Sequence, residues 1–142
     1  MPQFQIINVN GRFFHNGGAT IVQELAYSMA AANEYLVALS DAGKDIKEIT
    51  PKMQFSFGIG SNYFMEIAKI RAARKMWAHI VEQYTEDKAA SCAFIHGETS
   101  RWNKTIYDPY VNMLRNATEG MSGAIGGCDS MSIRPFDALF RS

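Results

Sequence analysis

The stretch HGETSRWNK, residues 96–104, carries six side chains able to do chemistry: His96, Glu98, Thr99, Ser100, Arg101 and Lys104. An imidazole and a carboxylate two residues apart could move a proton. With His15, they could also form a site of two histidines and one carboxylate for a divalent metal. Ser100 and Thr99 follow His96 closely enough to suggest a nucleophile beside a base. The other reading of the same residues is hydrogen bonding that holds a long loop in shape.

The spacing sets limits on each chemistry. His96-Gly97-Glu98 matches a His-x-Glu zinc pattern, but that pattern needs a Pro-Cys-x-x-Cys pair, and Cys92 and Cys128 stand alone. No glycine-flanked nucleophile elbow surrounds Ser100. The glycine pairs Gly17-Gly18 and Gly126-Gly127 make neither a dinucleotide fingerprint nor a phosphate loop. His79, in mid-helix beside Trp77, reads as a structural or surface residue.

The elements that must position these groups alternate. Residues 4–9 (FQIINV) read as a strand, followed by a glycine-rich loop at 10–18. Thr20 and Gln23 form a capping box for a helix whose buried stripe is Ile21, Leu25 and Met29, with Gly43 at its end. The run DIKEIT reads as one short extra turn before Pro51. Residues 54–59 are a second strand, and Ser61 or Asn62 can cap a helix reaching Tyr84. That helix has Ile70, Ala73, Trp77, Ile80 and Tyr84 on one face. Its other face carries Lys69, Arg71, Arg74 and Lys75, a solvated face or, alternatively, a phosphate-binding patch. Residues 91–95 are a third strand, and 96–108 a loop. Asp108 and Pro109 start a helix whose expected buried stripe is Tyr110, Leu114, Ala117 and Met121. A fourth strand is expected at 129–133.

Strand and helix in alternation imply an α/β fold with parallel strands and right-handed crossovers. Four strands are half of a (β/α)8 TIM barrel, which takes ~250 residues when complete. A smaller doubly wound sheet is the alternative. Either way the loops after the strands build the site: 10–18, 60–62, 96–108 and 134–137. A half barrel has two open edges that other chains tend to pair with or cover, which makes a homo-oligomer of the isolated chain an expectation.

With 47% apolar and 20% charged residues, the 142-residue chain has the composition of one globular domain. Zero net charge gives no basic excess for nucleic acid or an anionic membrane surface. No apolar run reaches the ~18 residues of a membrane span, and the N-terminus lacks the pattern of a secretory leader. A reducing, cytoplasmic setting is expected, with two free thiols, one of them a small core residue.

The segments GGATIVQELAYSMAAANEYL, FGIGSNYFMEIAKIRAARKMWA, DPYVNMLR and GGCDSMSIRPFD resemble the methylmalonyl-CoA mutase family, in that order and over nearly the whole chain. The resemblance implies the second half of the family's acyl-CoA-binding barrel. It also implies interconversion of methylmalonyl-CoA and succinyl-CoA with adenosylcobalamin. Residues 1–142 would then be part of a TIM barrel without a cobalamin-binding domain, since the Asp-x-His-x-x-Gly motif of that domain is not in the sequence.

Two kinds of chain exist in the family, and two positions bear on which this is. Catalytic chains read Ser-Gly-Tyr-His after the strand matching residues 4–9; here Arg12 takes the place of the tyrosine and Phe13 that of the histidine. Catalytic chains read His-Cys-Gln-Thr-Ser-Gly-Trp where this one reads His96 to Trp102, so Glu98 stands for the glutamine and Arg101 for a glycine. The resemblance therefore implies a small, non-catalytic subunit. Its site would be vestigial, marked by Arg12, Phe13, His96, Glu98 and Ser100. It would bind no cofactor itself, would be inactive alone, and would pair with a large catalytic subunit that holds the cobalamin. A catalytic fragment, and a metal-dependent barrel enzyme using His96 and Glu98, are the alternatives.

Overall fold

The computed structural model describes residues 4–140; the chain ends at 1–3 and 141–142 lie outside the described residues. Strand β1 (Ile7–Asn10) leads into the short helix α1 (Arg12–Asn16) and the long helix α2 (Ile21–Asp41). Helix α3 (Ile46–Ile49) and a 3-10 turn (Thr50–Lys52) precede β2 (Met53–Ile59). Helix α4 (Tyr63–Val81), β3 (Phe94–Thr99), α5 (Pro109–Gly126) and β4 (Ser130–Ser132) complete the order.

All four strands are parallel, and the sheet order is β1-β2-β3-β4. Each strand is laid beside the one before it, with no reversal of direction across the sheet. A doubly wound sheet requires such a reversal; an arc of a barrel does not. Among the described residues β1 and β4 are each paired on one side only.

The two faces of the sheet differ in kind. Met53, Phe55, Phe57 and Ile59 of β2 and Ile95 of β3 are no more than 1% exposed and meet the helix layer. There the Phe55 ring lies edge-on to Trp77 of α4 at 5.0 Å. Side chains alternate along a strand, so the opposite face carries Asn8, Asn10, Gln54, Ser56, Gly58, His96, Glu98, Ser130 and Ser132, with Phe94 at its N-terminal end. This concave face is polar and built of small residues. Packed barrel interiors are dominated by bulky branched side chains, so this face suits an elongated polar ligand or a polar network better than a dry core.

Local signals hold well at the helix ends. Thr20 Oγ1 accepts from Gln23 N at 3.2 Å and Gln23 Oε1 accepts from Thr20 N at 3.0 Å, the expected capping box. Asp108 Oδ1 accepts from Tyr110 N at 3.1 Å. Gly43 and Gly127 take the positive φ values of 74° and 93° that end α2 and α5. Asn62 occupies the N-cap of α4, but its side chain makes no capping bond.

Four expectations are corrected. Strand β1 begins at Ile7 rather than residue 4: Phe4 and Ile6 are 64% and 66% exposed, and pairing with β2 starts at Ile7↔Met53. Strand β3 begins at Phe94 and runs through Thr99, because the amides of Ser91 and Cys92 are spent on turns to Lys88 and Ala89. His96, Glu98 and Thr99 are therefore strand residues and not loop residues. The segment 10–18 contains α1 and is not an open loop.

The fourth correction is α5, which lies inverted relative to its apolar pattern. Tyr110, Leu114 and Met121 are 72%, 70% and 56% exposed, while Asn112, Asn116, Glu119, Gly120, Ser122 and Gly123 are buried. The inner face has small residues where the sheet approaches: a Cβ on Gly123 would lie 2.5 Å from Met131 Cε. Its polar residues have specific partners, described below. No helix among the described residues is long and apolar enough to cross a membrane.

Candidate functional site

The C-terminal ends of the strands bring together residues far apart in the sequence. Glu98, at the end of β3 with a side chain 8% exposed, accepts from three guanidiniums. Arg12 Nη1, from the first residue of α1, donates to Glu98 Oε2. Arg101 donates to Glu98 Oε1 from Nε at 3.1 Å and from Nη2 at 3.0 Å. Arg134 Nη1, just past β4, reaches the same oxygen at 3.3 Å. Burial alone would push the Glu98 carboxyl up. The bond from Arg101, the charge of Arg12 and the bond from Arg134 outweigh it and hold Glu98 below the usual carboxylate value.

His96 lies on the same face, one register step toward the N-terminal end of β3. Its Nδ1 is 2.8 Å from Ser130 Oγ on β4. Burial, then the charge of Arg12, lower its pKa, so the ring is neutral at pH 7. Phe13, on α1, is 76% exposed and lines the hollow that also holds Arg12, Glu98 and Arg101.

His15 and Ser100 meet, in an arrangement the sequence did not disclose. His15 Nε2 is 2.9 Å from Ser100 Oγ, and His15 Nδ1 is 3.5 Å from Glu24 Oε2. Serine, histidine and carboxylate in that order are the parts of a nucleophile with its base and orienting acid. Here Ser100 and Glu24 are fully buried and His15 is 5% exposed. A substrate cannot reach the hydroxyl, so the chain of bonds ties the end of β3 to α1 and α2.

Beneath it sits a second charged network. Lys69 Nζ lies 2.8 Å from Glu24 Oε2 and 2.6 Å from Glu66 Oε2, with all three side chains at most 1% exposed. It also donates to the Gly58 carbonyl. Glu24 Oε1 accepts from Gly58 N at 2.8 Å, and Glu66 Oε1 from Gly60 N at 3.0 Å. Burial raises the Glu24 pKa; His15 and Lys69 lower it further than that, and the net direction is down. Lys69 is thus a buried structural cation, and neither the solvated-face nor the phosphate-patch reading applies to it. Arg74 also has a structural role: it pairs with Asp129 at 2.8 Å and donates to the Ala93 carbonyl at 2.6 Å.

The buried polar face of α5 holds the two loops that carry the arginines. Asn116 Nδ2 donates to the Arg134 carbonyl at 2.8 Å, and Arg134 N donates to Thr99 Oγ1 at 3.0 Å. Asn112 bonds both the Thr105 backbone and the Phe136 carbonyl, at 2.9 and 3.1 Å. Glu119 binds Lys104 Nζ at 2.7 Å and Asn103 Nδ2 at 2.7 Å. Asn16 Oδ1 accepts from Arg101 N at 3.1 Å.

The metal alternative does not assemble. His15 is turned to Ser100 and Glu24, His96 to Ser130, and Glu98 to three arginines. Among the described residues no three histidine, cysteine, aspartate or glutamate side chains cluster as a metal site. His79 is a surface residue, its side chain 65% exposed beside Glu82. Cys92 is exposed, and Cys128 is the half-buried thiol, its pKa pushed up to about 11 by burial.

Sequence reasoning missed Glu24, Glu66 and Lys69. A signal existed: Glu66, Lys69 and Ala73 fall at the spacing of one helix face, next to Ile70. Charges in line with an apolar stripe must find partners inside.

A four-stranded parallel α/β sheet with an arginine-bound carboxylate at the C-terminal ends of its strands defines the class of chain. Comparison with known proteins sharpens it. The methylmalonyl-CoA mutase family matches residues 1–142. The chain is 49% identical over 143 aligned residues to the methylmalonyl-CoA mutase small subunit of Porphyromonas gingivalis, covering 99% of this chain and 23% of that one. It is 40% identical to the large subunit from the same organism, covering 96% of this chain and 19% of that one. It is also 40% identical to the human mitochondrial methylmalonyl-CoA mutase, covering 96% and 18%. The chain belongs to the methylmalonyl-CoA mutase family. It spans about a fifth of the length of these relatives.

Proposed function

We propose that this chain is part of a small, non-catalytic subunit of a methylmalonyl-CoA mutase. In this reading residues 1–142 are half of a TIM barrel completed by further strands. A large catalytic chain is its partner, the pair interconverts methylmalonyl-CoA and succinyl-CoA, and this chain's part is structural.

The observation that carries the reading is the Arg12–Glu98 ion pair. The resemblance puts a substrate-facing tyrosine and glutamine at these positions. Here both are charged, of opposite sign, and bonded to each other. A neutral pair open to substrate has become a closed pair, and Arg101 adds a second guanidinium where a glycine would leave space. Phe13, at the place of the histidine, has no hydrogen-bonding group to offer. Greater identity to a small subunit than to a large one, 49% against 40%, supports the same reading.

Adenosylcobalamin belongs to the partner chain in this reading. When bound there it supplies the radical by homolysis of its cobalt–carbon bond. The hollows at this mouth measure about 110 and 80 Å³, and charged side chains stand in the wall of each. The chain's contribution is a surface that packs on its partner and stabilises it by mass action.

The test is a pull-down from the native lysate with this chain as bait, the bound proteins identified by mass. The expected result is recovery of a large mutase chain bearing a cobalamin-binding domain. Turnover of methylmalonyl-CoA by this chain alone with added adenosylcobalamin would overturn the reading and favour the catalytic-fragment alternative.

A further inference from the structure

The charges at the mouth do not balance. Arg12, Arg101 and Arg134 all face the one carboxylate of Glu98. Asp137, three residues past Arg134, has a partner of its own. Even set against one of these arginines, it leaves guanidiniums outnumbering carboxylates. Lys104 adds nothing to the excess, because Glu119 binds it at 2.7 Å.

The excess has a place to act. Between the loops after β3 and β4 lies a hollow of about 80 Å³, lined by Arg101, Lys104, Arg134, Pro135, Phe136 and Leu139. Three cations border it, and no carboxylate is among its lining residues. Glu98 takes Arg101 through Nε and Nη2 and Arg134 through Nη1. One terminal nitrogen of each, Arg101 Nη1 and Arg134 Nη2, is not among those that bind Glu98. The backbones that carry both arginines are anchored, by Asn16 at Arg101 and by Asn116 and Thr99 at Arg134. Guanidiniums whose backbones are fixed, each with a terminal nitrogen that Glu98 does not take, are prepared for an oxyanion.

We infer that this hollow, gripped by Arg101 and Arg134, is a binding site for a phosphoryl group. A phosphate presents several strong acceptor oxygens, which two guanidiniums on one wall can take in parallel. The wall of Pro135, Phe136 and Leu139 gives an ester's carbon side a surface that a free phosphate does not use. The site follows from the charge count and the hollow, and it stands whether or not the subunit reading holds.

Calorimetric titration of the 142-residue chain at fixed ionic strength tests it, with inorganic phosphate and phenyl phosphate as probes. Saturable binding is expected for both, tighter for phenyl phosphate, and at least tenfold weaker in Arg101→Gln and in Arg134→Gln. Both exchanges spare the backbone bonds that anchor the loops. Arg71→Gln, on the exposed side of α4, should bind as the unaltered chain does. Binding of inorganic phosphate alone supports the site as one for the free ion; binding of the ester alone supports an ester site. No saturable heat with either probe, or equal binding by the Arg134→Gln variant, overturns the inference.

Discussion

Arg12 Nη1 donates to Glu98 Oε2, joining the start of α1 to the end of β3 across the sheet. The two residues are 86 positions apart in the chain, one in each of the two stretches that bore on the kind of chain the resemblance implies. A double-mutant cycle should show that they act together. Glu98→Gln leaves three guanidiniums facing a neutral amide. It is expected to lower stability by about 1.5–3 kcal/mol, the range for bonds to charged groups. In an Arg12→Gln background the same exchange should cost less, by ~1 kcal/mol. Urea denaturation of the four proteins measures this, and strict additivity would show the pair to be uncoupled.

The same carboxylate sets an acid limit. Glu98 has a folded-state pKa below its unfolded value. Its contribution is complete above the unfolded value and is lost as pH falls through the folded one. Glu24, shifted in the same direction, adds to the loss. Thermal melts should therefore drop steeply below about pH 4.5, the ordinary carboxylate range. The destabilisation caused by Glu98→Gln should shrink over that interval, because the parent protein then loses the same charge.

Lys69 separates two buried carboxylates, Glu24 and Glu66. Replacing it by methionine keeps the length of the side chain and removes the charge. Breaking a buried pair from one side costs about 3–5 kcal/mol. Lys69→Met should therefore unfold at markedly lower denaturant. A Glu24→Gln/Glu66→Gln/Lys69→Met triple variant should recover part of the loss, measured by the same denaturation.

Gly58 has His15 where a side chain would be. A Cβ there would lie 2.3 Å from His15 Cδ2. Gly58→Ala should cost about 1–3 kcal/mol, as overpacking does. His15→Ala in the same chain should return a measurable share of it. A Gly58→Ala protein as stable as its parent would mean that the ring moves aside freely.

The inversion of α5 predicts opposite results on its two sides. Leu114→Gln, at a position 70% exposed, should change stability by no more than about 0.5 kcal/mol. Asn116→Ala, which strands the Arg134 carbonyl, should cost about 1–3 kcal/mol. Chemical denaturation of the two variants decides between the observed orientation and the apolar-inward one.

By itself the sequence determined the α/β alternation, the parallel sheet and most helix ends. Thr20 with Gln23, Asp108 with Pro109, Gly43 and Gly127 act on the backbone within a few residues, so their chemistry can be read locally. It also carried the family resemblance, because a run such as GIGSNYFMEIAKIRAAR is long and specific. Tertiary structure alone decided which way α5 faces, since the inner side had to meet Met131 and hold two loops, a demand that outweighed burying Tyr110 and Leu114. It alone decided where β3 begins, because pairing with β2 and β4 on both sides sets that register. Finally, it alone joined Arg12 to Glu98, His15 to Ser100 and Lys69 to Glu24. Those bonds span sequence separations that no local periodicity encodes, and only closing the sheet brings the charges within reach of one another.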